Sequence, residues 1–385
     1  MIYTDSAPLT FHVHRTFDDA SHLRGRWDDL AREHFMLQWS WLENWWQNFS
    51  AGPYGHTRRK LVLVSATAPD GQTVGIAPMY RESSLTGRSL RFAGDGSACT
   101  DYVRFITDPE WADAFYQGVG KWLAGREFRL EFGAVDWIEV DGHTDSEHGW
   151  LVLWNTLVSN GWRRQTRSIE GAWHSVLPNS WQEYYANLSK SRKRKVKKAE
   201  RLRASGQVEF NLLSTPAEIE SEWPVFVDLH QRRRQSLGQS GCFVNPRFES
   251  FLKNTMLDFS RDGQAHFARL SENNTAIGYL LLFENRGTIS MYQSGFDPDA
   301  ESTEPGHLIN TFTARYAIEQ QLKRYDFLRG DEGYKSGWNA ENTPLFRTRC
   351  TSPQLASRVK NSIWNAGRTL KNWNLARTSN QSPSQ

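Results

Sequence analysis

Three strand patterns crowded between Ala265 and Phe296 constrain this chain's fold more than any other feature. Ala265 to Leu270, Ala276 to Glu284 and Thr288 to Phe296 read as strands. Their connections, Ser271-Glu272-Asn273-Asn274 and Glu284-Asn285-Arg286-Gly287, carry hairpin-turn residues. A loop of Asp, Pro, Ser and Glu residues, Asp297 to Pro305, then leads into a helix, Gly306 to Lys323, and a further strand, Tyr325 to Leu328. Antiparallel strands that end in a strand–helix–strand crossover describe an α+β layer rather than a doubly wound sheet.

The first half follows the same order. Trp27 to Phe49 reads as an aromatic-rich helix, and Lys60 to Ser65 and Thr73 to Tyr80 as a hairpin around Pro69-Asp70-Gly71. Short strands are expected at Leu90 to Phe92, Tyr102 to Ile106, Arg129 to Phe132 and Trp162 to Thr166, with helices at Pro109 to Leu123 and Gly149 to Ser159. After a strand at Trp173 to Leu177 come helices at Trp181 to Leu188 and Lys190 to Ala204, the second stopped by Gly206. Val208 to Leu213 is a strand, and Pro216 to Ser236 and Pro246 to Ser260 are helices. A length of 385 residues suits two cores. Two similar α+β domains are expected, 1–168 and 169–350, each a mostly antiparallel sheet with flanking helices and a boundary near 165–172. A basic tail follows at 351–385, helical over Val359 to Trp373 and disordered over its last ten or so residues.

Bulk chemistry narrows the function. A formal net charge of +3 implies, by itself, no nucleic-acid or membrane partner. Cys99, Cys242 and Cys350 lie far apart and are odd in number, which argues against a disulfide framework. His12 and His14 have strand spacing but no third ligand, so no metal site is expected. The N-terminus lacks the pattern of a secretory signal. The longest apolar runs, such as Tyr279 to Phe283, are strand-length, so no integral membrane segment is expected and the cytoplasm is the expected compartment.

Two places could carry chemistry. Pro305-Gly306 opens a helix, where free N–H groups and the positive dipole end can hold a phosphate, and Gly306 would let it approach the backbone. The same dipeptide is also ordinary turn punctuation. Beyond the next strand lies a dense cluster of charge, glycine and aromatics, Leu328 to Trp338, at a strand end where ligands often bind in crossover folds.

The run YDFLRGDEGYKSGW, Tyr325 to Trp338, resembles the signature of the CelD-type acetyltransferase family. That family is a branch of the GNAT (Gcn5-related N-acetyltransferase) superfamily related to the FemAB-type aminoacyl transferases. Gly295-Phe296-Asp297-Pro298, Pro305-Gly306 and the helix SKSRKRKVKKAERLRASG, Ser189 to Gly206, resemble the same group. The likeness is specific over roughly 170–348 and looser before it. It implies tandem GNAT-like domains, the first degenerate and the second, 169–350, the acyltransferase. It also implies acetyl-coenzyme A or another acyl-coenzyme A as cosubstrate, without a metal, and a donor site at Gly295, Phe296, Pro305, Gly306 and His307. One departure stands out. The superfamily's glycine-rich pyrophosphate turn is here Ser302-Thr303-Glu304-Pro305-Gly306-His307, with one glycine and an added negative charge.

For the transfer itself, the resemblance makes Tyr334 the candidate proton donor to the leaving thiolate. Lys335 is read as neutralising a phosphate or orienting the acceptor. Asp331 and Glu332 are read as general bases or as salt-bridge partners of Arg329, with the salt bridge preferred, and Tyr292 as lining the cleft. Arg329, Glu332, Trp338 and Asp101 are candidate substrate contacts. The resemblance implies an acceptor amine or hydroxyl on a small molecule or polymer related to the cell envelope or polysaccharide. Lys190 and Arg194 belong to a basic helix, 190–203, opposed only by Glu200, which suits an anionic partner such as a tRNA or a nucleotide-linked precursor. Two other readings compete: aminoacyl transfer from aminoacyl-tRNA, and a non-catalytic polysaccharide-binding subunit.

Overall fold

The computed structural model describes residues 9–52, 57–363 and 365. The first half contains β1 (Thr10–His14), α1 (Arg24–Ala31), α2 (Trp39–Phe49), β2 (Arg58–Thr67), β3 (Thr73–Ser84), β4 (Gly87–Phe92) and β5 (Ile106–Thr107). It continues through α3 (Ala112–Ala124), α4 (Arg126–Phe132), β6 (Trp137–His143), α5 (His148–Ser159) and β7 (Arg163–Val176). The second half contains α6 (Trp181–Asn187), α7 (Lys190–Ala204), β8 (Val208–Leu213), α8 (Pro216–Ser236), α9 (Pro246–Arg261) and β9 (Ala265–Glu272). It closes with β10 (Thr275–Asn285), β11 (Thr288–Phe296), α10 (Pro305–Glu319), β12 (Arg324–Arg329) and β13 (Glu341–Thr351).

All strands join one mixed sheet of order β1-β2-β3-β4-β6-β13-β7-β12-β11-β10-β9-β8, with β5 off β3. Each half contributes antiparallel strands ending in a parallel crossover: β4 with β6, and β11 with β12. Two strands cross between the halves. β7 pairs with β12, β13 pairs with β6, and β7 and β13 pair with each other at the centre. The residues of the expected boundary, 165–172, lie inside β7. That single strand takes in both Trp162 to Thr166 and Trp173 to Leu177, apart from the outer residue of each.

Packing explains the crossing. Trp41 on α2 meets Phe251 of α9 edge-on at 5.0 Å and Tyr292 of β11 at 5.2 Å, while Phe35 stacks on Phe283 of β10 at 4.4 Å. The first half's aromatic helix is therefore part of the second half's core, and truncating a buried ring of this kind costs about 3–5 kcal/mol. On the opposite face, Val196, Ala199 and Leu202 of α7 are buried together with Leu308 and Phe312 of α10. The charged residues around that apolar stripe remain largely at the surface.

Several expectations change. Arg129 to Phe132 is helical, not a strand: Phe128 and Phe132 stack at 5.6 Å, the helical i, i+4 spacing winning over alternation. The crossover strand is β6 instead, where buried Glu139 interrupts the apolar pattern because Arg91 and Arg349 neutralise it. Trp27 to Phe49 breaks into two helices around a short 3-10 turn, Phe35–Leu37. Tyr102 to Ile106 is mostly loop, with Ile106–Thr107 the paired part. In the tail, residues 355–363 are helical, and the expected end of that helix and the final ten residues lie outside the described residues.

Candidate functional site

The site begins with a strand pair that comes apart. β11 and β12 pair over three positions, Thr288 to Ser290 against Arg324 to Asp326. Past them β11 runs on to Phe296 along β10, while β12 turns to follow β7. The wedge opens at Leu328, which has left-handed backbone (φ 56°) beside a register shift. Such a conformation is strained for a leucine and needs support. Asp326 supplies some, its Oδ1 accepting from the Leu328 N–H at 2.9 Å.

Lys335 supplies the rest. It is 2% exposed. Its ammonium donates to the carbonyls of Leu328 (3.2 Å), Arg329 (3.1 Å) and Gly330 (3.4 Å) and pairs with Glu332 at 2.8 Å. Gly330 has φ +138°, and a Cβ there would lie 2.3 Å from Glu332 Oε2, so the clasp requires glycine. Lys335 therefore points at the loop's own backbone, and Glu332 is its partner.

Arg329 turns the other way. Its Nε reaches Asp101 Oδ1 at 2.7 Å, its N–H reaches Asp101 Oδ2 at 2.8 Å, and Nη1 meets Asp141 at 3.1 Å. The salt bridge preferred from sequence, Arg329 with Asp331 or Glu332, is not formed, because two acids of the first half hold the guanidinium. Asp331 is exposed. Trp338 is fully buried, its ring 4.3 Å beneath the Arg192 guanidinium, and its carbonyl accepts from Ser175 and Tyr184. These contacts make it a core residue of the signature.

Two hollows that share lining residues lie in the wedge. One, about 630 Å³, is bounded by Ser294, Phe296, Pro305, Gly306, His307 and Tyr334. The other, about 180 Å³, is bounded by Cys99, Asp101, Tyr292, Leu328, Lys335 and Tyr334. Both are lined by Met291, Ser294, Arg234, Glu332 and Tyr334. Tyr292 donates to the Ala98 carbonyl at 2.8 Å, which closes the floor. Tyr334 is 36% exposed, and no hydrogen bond from its hydroxyl is recorded among the described residues. Burial, then Glu332, holds its phenol above the ordinary range, so it stays protonated at neutral pH. Gly295 serves packing rather than ligand approach: a Cβ would come within 2.8 Å of the His230 nitrogen on α8.

The helix start carries an arrangement that single residues did not announce. Glu304 sits in left-handed backbone (φ 58°) as the N-cap of α10 and offers the helix no side-chain cap. Instead its carboxylate meets Lys195 at 2.7 Å and Lys198 at 3.2 Å, both from α7. Those hydrogen bonds hold its acid below the usual carboxylate range. His307 lies between Arg192 and Lys195; burial, then those cations, lower it to about 4, so it is neutral. Arg192, Lys195 and Lys198 recur at i, i+3, i+6 on one helix face, a spacing visible in the sequence. Lys190 and Arg194 are exposed elsewhere on α7.

Among the described residues no group of three or more His, Cys, Asp or Glu could hold a metal, and no helix is long and apolar enough to cross a membrane.

Comparison with known proteins bears on the fold. Residues 189–336 match the family described as the acetyltransferase (GNAT) domain. No curated protein matched the sequence. The fold is similar to the crystal structure of FemX at TM-score 0.60 and 11% identity, over 87% of this chain and 98% of that one. A conserved protein of unknown function from Bacteroides thetaiotaomicron reaches 0.55 at 11% identity, over 89% and 100%. The C-terminal domain of a candidate lysylphosphatidylglycerol synthetase from Agrobacterium fabrum reaches 0.52 at 8% identity, over 90% and 96%. The chain thus has an α+β fold of the GNAT and FemAB-like kind, one large mixed sheet with flanking helices.

Proposed function

We propose that this chain transfers an acyl group from a carrier seated in the β11–β12 wedge to an amine or hydroxyl acceptor. One observation carries the reading: the strands part beside the start of α10, inside the matched acetyltransferase region. Past Ser290 the edge of β11 facing β12 has no strand partner among the described residues, so outward N–H groups there can polarise the acyl carbonyl. The acceptor atom bonds to that carbon as the bond to the carrier's sulfur or oxygen breaks. Tyr334 gives its proton to the leaving group, and Glu332, facing both hollows, takes the acceptor's proton. Lys335 acts as a positioning residue, holding the strained turn that shapes the wedge.

Acetyl-coenzyme A, or a longer acyl-coenzyme A, is the leading donor. The CelD-like signature at Tyr325 to Trp338 supports an acceptor from the cell envelope or a polysaccharide. A second reading, aminoacyl transfer from aminoacyl-tRNA, is favoured by Glu304, which takes up Lys195 and Lys198 where a pyrophosphate would lie, and by the exposed cations Lys190 and Arg194. Thermal unfolding with acetyl-coenzyme A, desulfo-coenzyme A or bulk tRNA separates them. A ligand at a hundred times its dissociation constant adds about 2.7 kcal/mol. Stabilisation by coenzyme A species supports the first donor; stabilisation by tRNA alone, lost at higher salt, supports the second. Silence with all three rejects both.

A further inference from the structure

A separate cavity of about 530 Å³ lies on the sheet face covered by the first half, beside the paired part of β11 and β12. Its wall includes His34, Arg104, Asn285 and Arg324. Proteins rarely leave buried donors unmatched, yet several polar atoms here have no partner among the described residues. Asn285 is 6% exposed, and its Nδ2 is unpaired. Arg324 Nε and His34 Nδ1 are buried and unpaired as well. Arg324 spends its Nη2 on Tyr102 (2.9 Å) and Asp326 (2.9 Å), which fixes the guanidinium with its Nε edge left over. Arg104, half-buried, has no recorded hydrogen bond or ion pair among the described residues. Burial, then Arg104 and Arg324, lowers His34 to about 3, so it adds a neutral ring rather than charge.

The charges at this wall balance. Arg104, Arg286 and Arg324 are matched by Glu33, Glu147 and Asp326. A dianionic phosphate would leave such a pocket negative, whereas a ligand bearing one carboxylate and one ammonium would leave it neutral. The volume falls within the range of small-molecule sites. Asp326 is already engaged by Tyr102 and Arg324, which leaves Glu33 and Glu147 for a cation. Burial raises the Glu147 carboxyl, and Arg104 counters it.

We propose that this cavity binds a zwitterionic amino acid or short peptide, its carboxylate on Arg104, Arg324 and Asn285 and its ammonium toward Glu147 and Glu33. The site is separate from the wedge and does not rest on the acyl-transfer reading, because its occupancy is measured without donor.

The test is ligand-observed NMR on the full chain, with the common amino acids, Ala–Ala and Gly–Gly as probes at millimolar concentration, followed by titration of the best binder. Saturable binding is expected, abolished when the probe's carboxylate is amidated and weakened when its amine is acetylated. Arg104→Ala should weaken it roughly tenfold to a hundredfold, the range for a hydrogen bond to a charged group. Arg104 makes no hydrogen bond or ion pair among the described residues but offsets the burial of Glu147, so the variant's unfolding temperature is measured alongside and binding is compared well below it. Glu147→Gln should weaken the zwitterion but not acetate, a readout that a packing role would not move. No saturable binding by any probe overturns the proposal. So does binding unchanged by Arg104→Ala, or acetate and inorganic phosphate binding as well as the zwitterions.

Discussion

The parallel contact between β4 and β6 spans Ser89 to Arg91, and that between β11 and β12 spans Thr288 to Ser290, so both halves build the same wedge. What lies beyond it differs. In the first half Arg91 pairs with Asp95 and Glu139, Tyr80 donates to Asp95 at 2.6 Å, and Trp45 donates to the Asp95 carbonyl at 3.1 Å. Phe92, Phe105 and Trp150 pack the remainder, leaving about 10 Å³, room for no more than a water. In the second half the wedge stays open, because Leu328 bends the strand away and Lys335 holds the bend. One topology thus serves as a filled core in one place and a ligand groove in the other. Side chains at the parting strands decide which.

The sharpest way to break the comparison is to remove what the halves exchange. A chain ending at residue 340 lacks β13, leaving the facing edges of β6 and β7 unpaired at the sheet's centre. Loss of any cooperative unfolding transition for both halves is expected, read by circular dichroism on heating. A first half that melts unchanged would show that the wedges fold independently.

Next in size are changes within each wedge. Tyr334→Phe should lower turnover about 10²–10⁴-fold, the usual scale of a general acid, with donor binding intact. Full activity would remove Tyr334 from the mechanism. Phe92→Ala in the filled wedge should cost about 3–5 kcal/mol in chemical denaturation without changing donor affinity. Ser294→Trp in the open wedge should do the reverse, abolishing donor binding at small cost in stability. If both variants behaved alike, the contrast between core and groove would fail.

The smallest effect is one of pH. His307 is lowered from 6.5 to about 4. The unfolded chain therefore binds the proton first, and the stability this neutral imidazole contributes, complete above 6.5, drains away as pH falls toward 4. His307→Gln should flatten the unfolding-temperature profile across that window. The Glu304 pairs weaken lower still, below the carboxylate's ordinary 4.5, since its acid is depressed. An unchanged profile in the His307 variant would count against the buried, neutral assignment.

Much of the second half was legible because its signals were local. In the hairpin turns, Asn273, Asn274 and Gly287 adopt the positive φ that Asn and Gly favour. The capped helices, Thr215 before α8 and Ser189 before α7, begin where their cap residues stand. What escaped depends on distant partners. β13 carries Arg347 and Arg349, and its strand character comes from Asp141 and Glu139 waiting on β6. The boundary expected near 165–172 falls within β7, which is polar and exposed over 163–168. At the site, Tyr334 and Gly306 do line the groove. Lys335 read as neutralising a phosphate or orienting the acceptor because sequence shows a charge but not the three carbonyls that surround it. Arg192, Lys195 and Lys198 were visible only as part of a basic run; their shared face gained meaning once α10 was placed beside it.

The central claim, that transfer takes place in the second half's wedge, is tested most directly by amide hydrogen exchange on the intact chain with and without saturating donor, coenzyme A species and aminoacyl-tRNA in turn. Protection confined to 291–296 and 328–335 by at least one of them is the predicted result. Protection at 87–98 and 137–143 instead, or none with any donor, would contradict it.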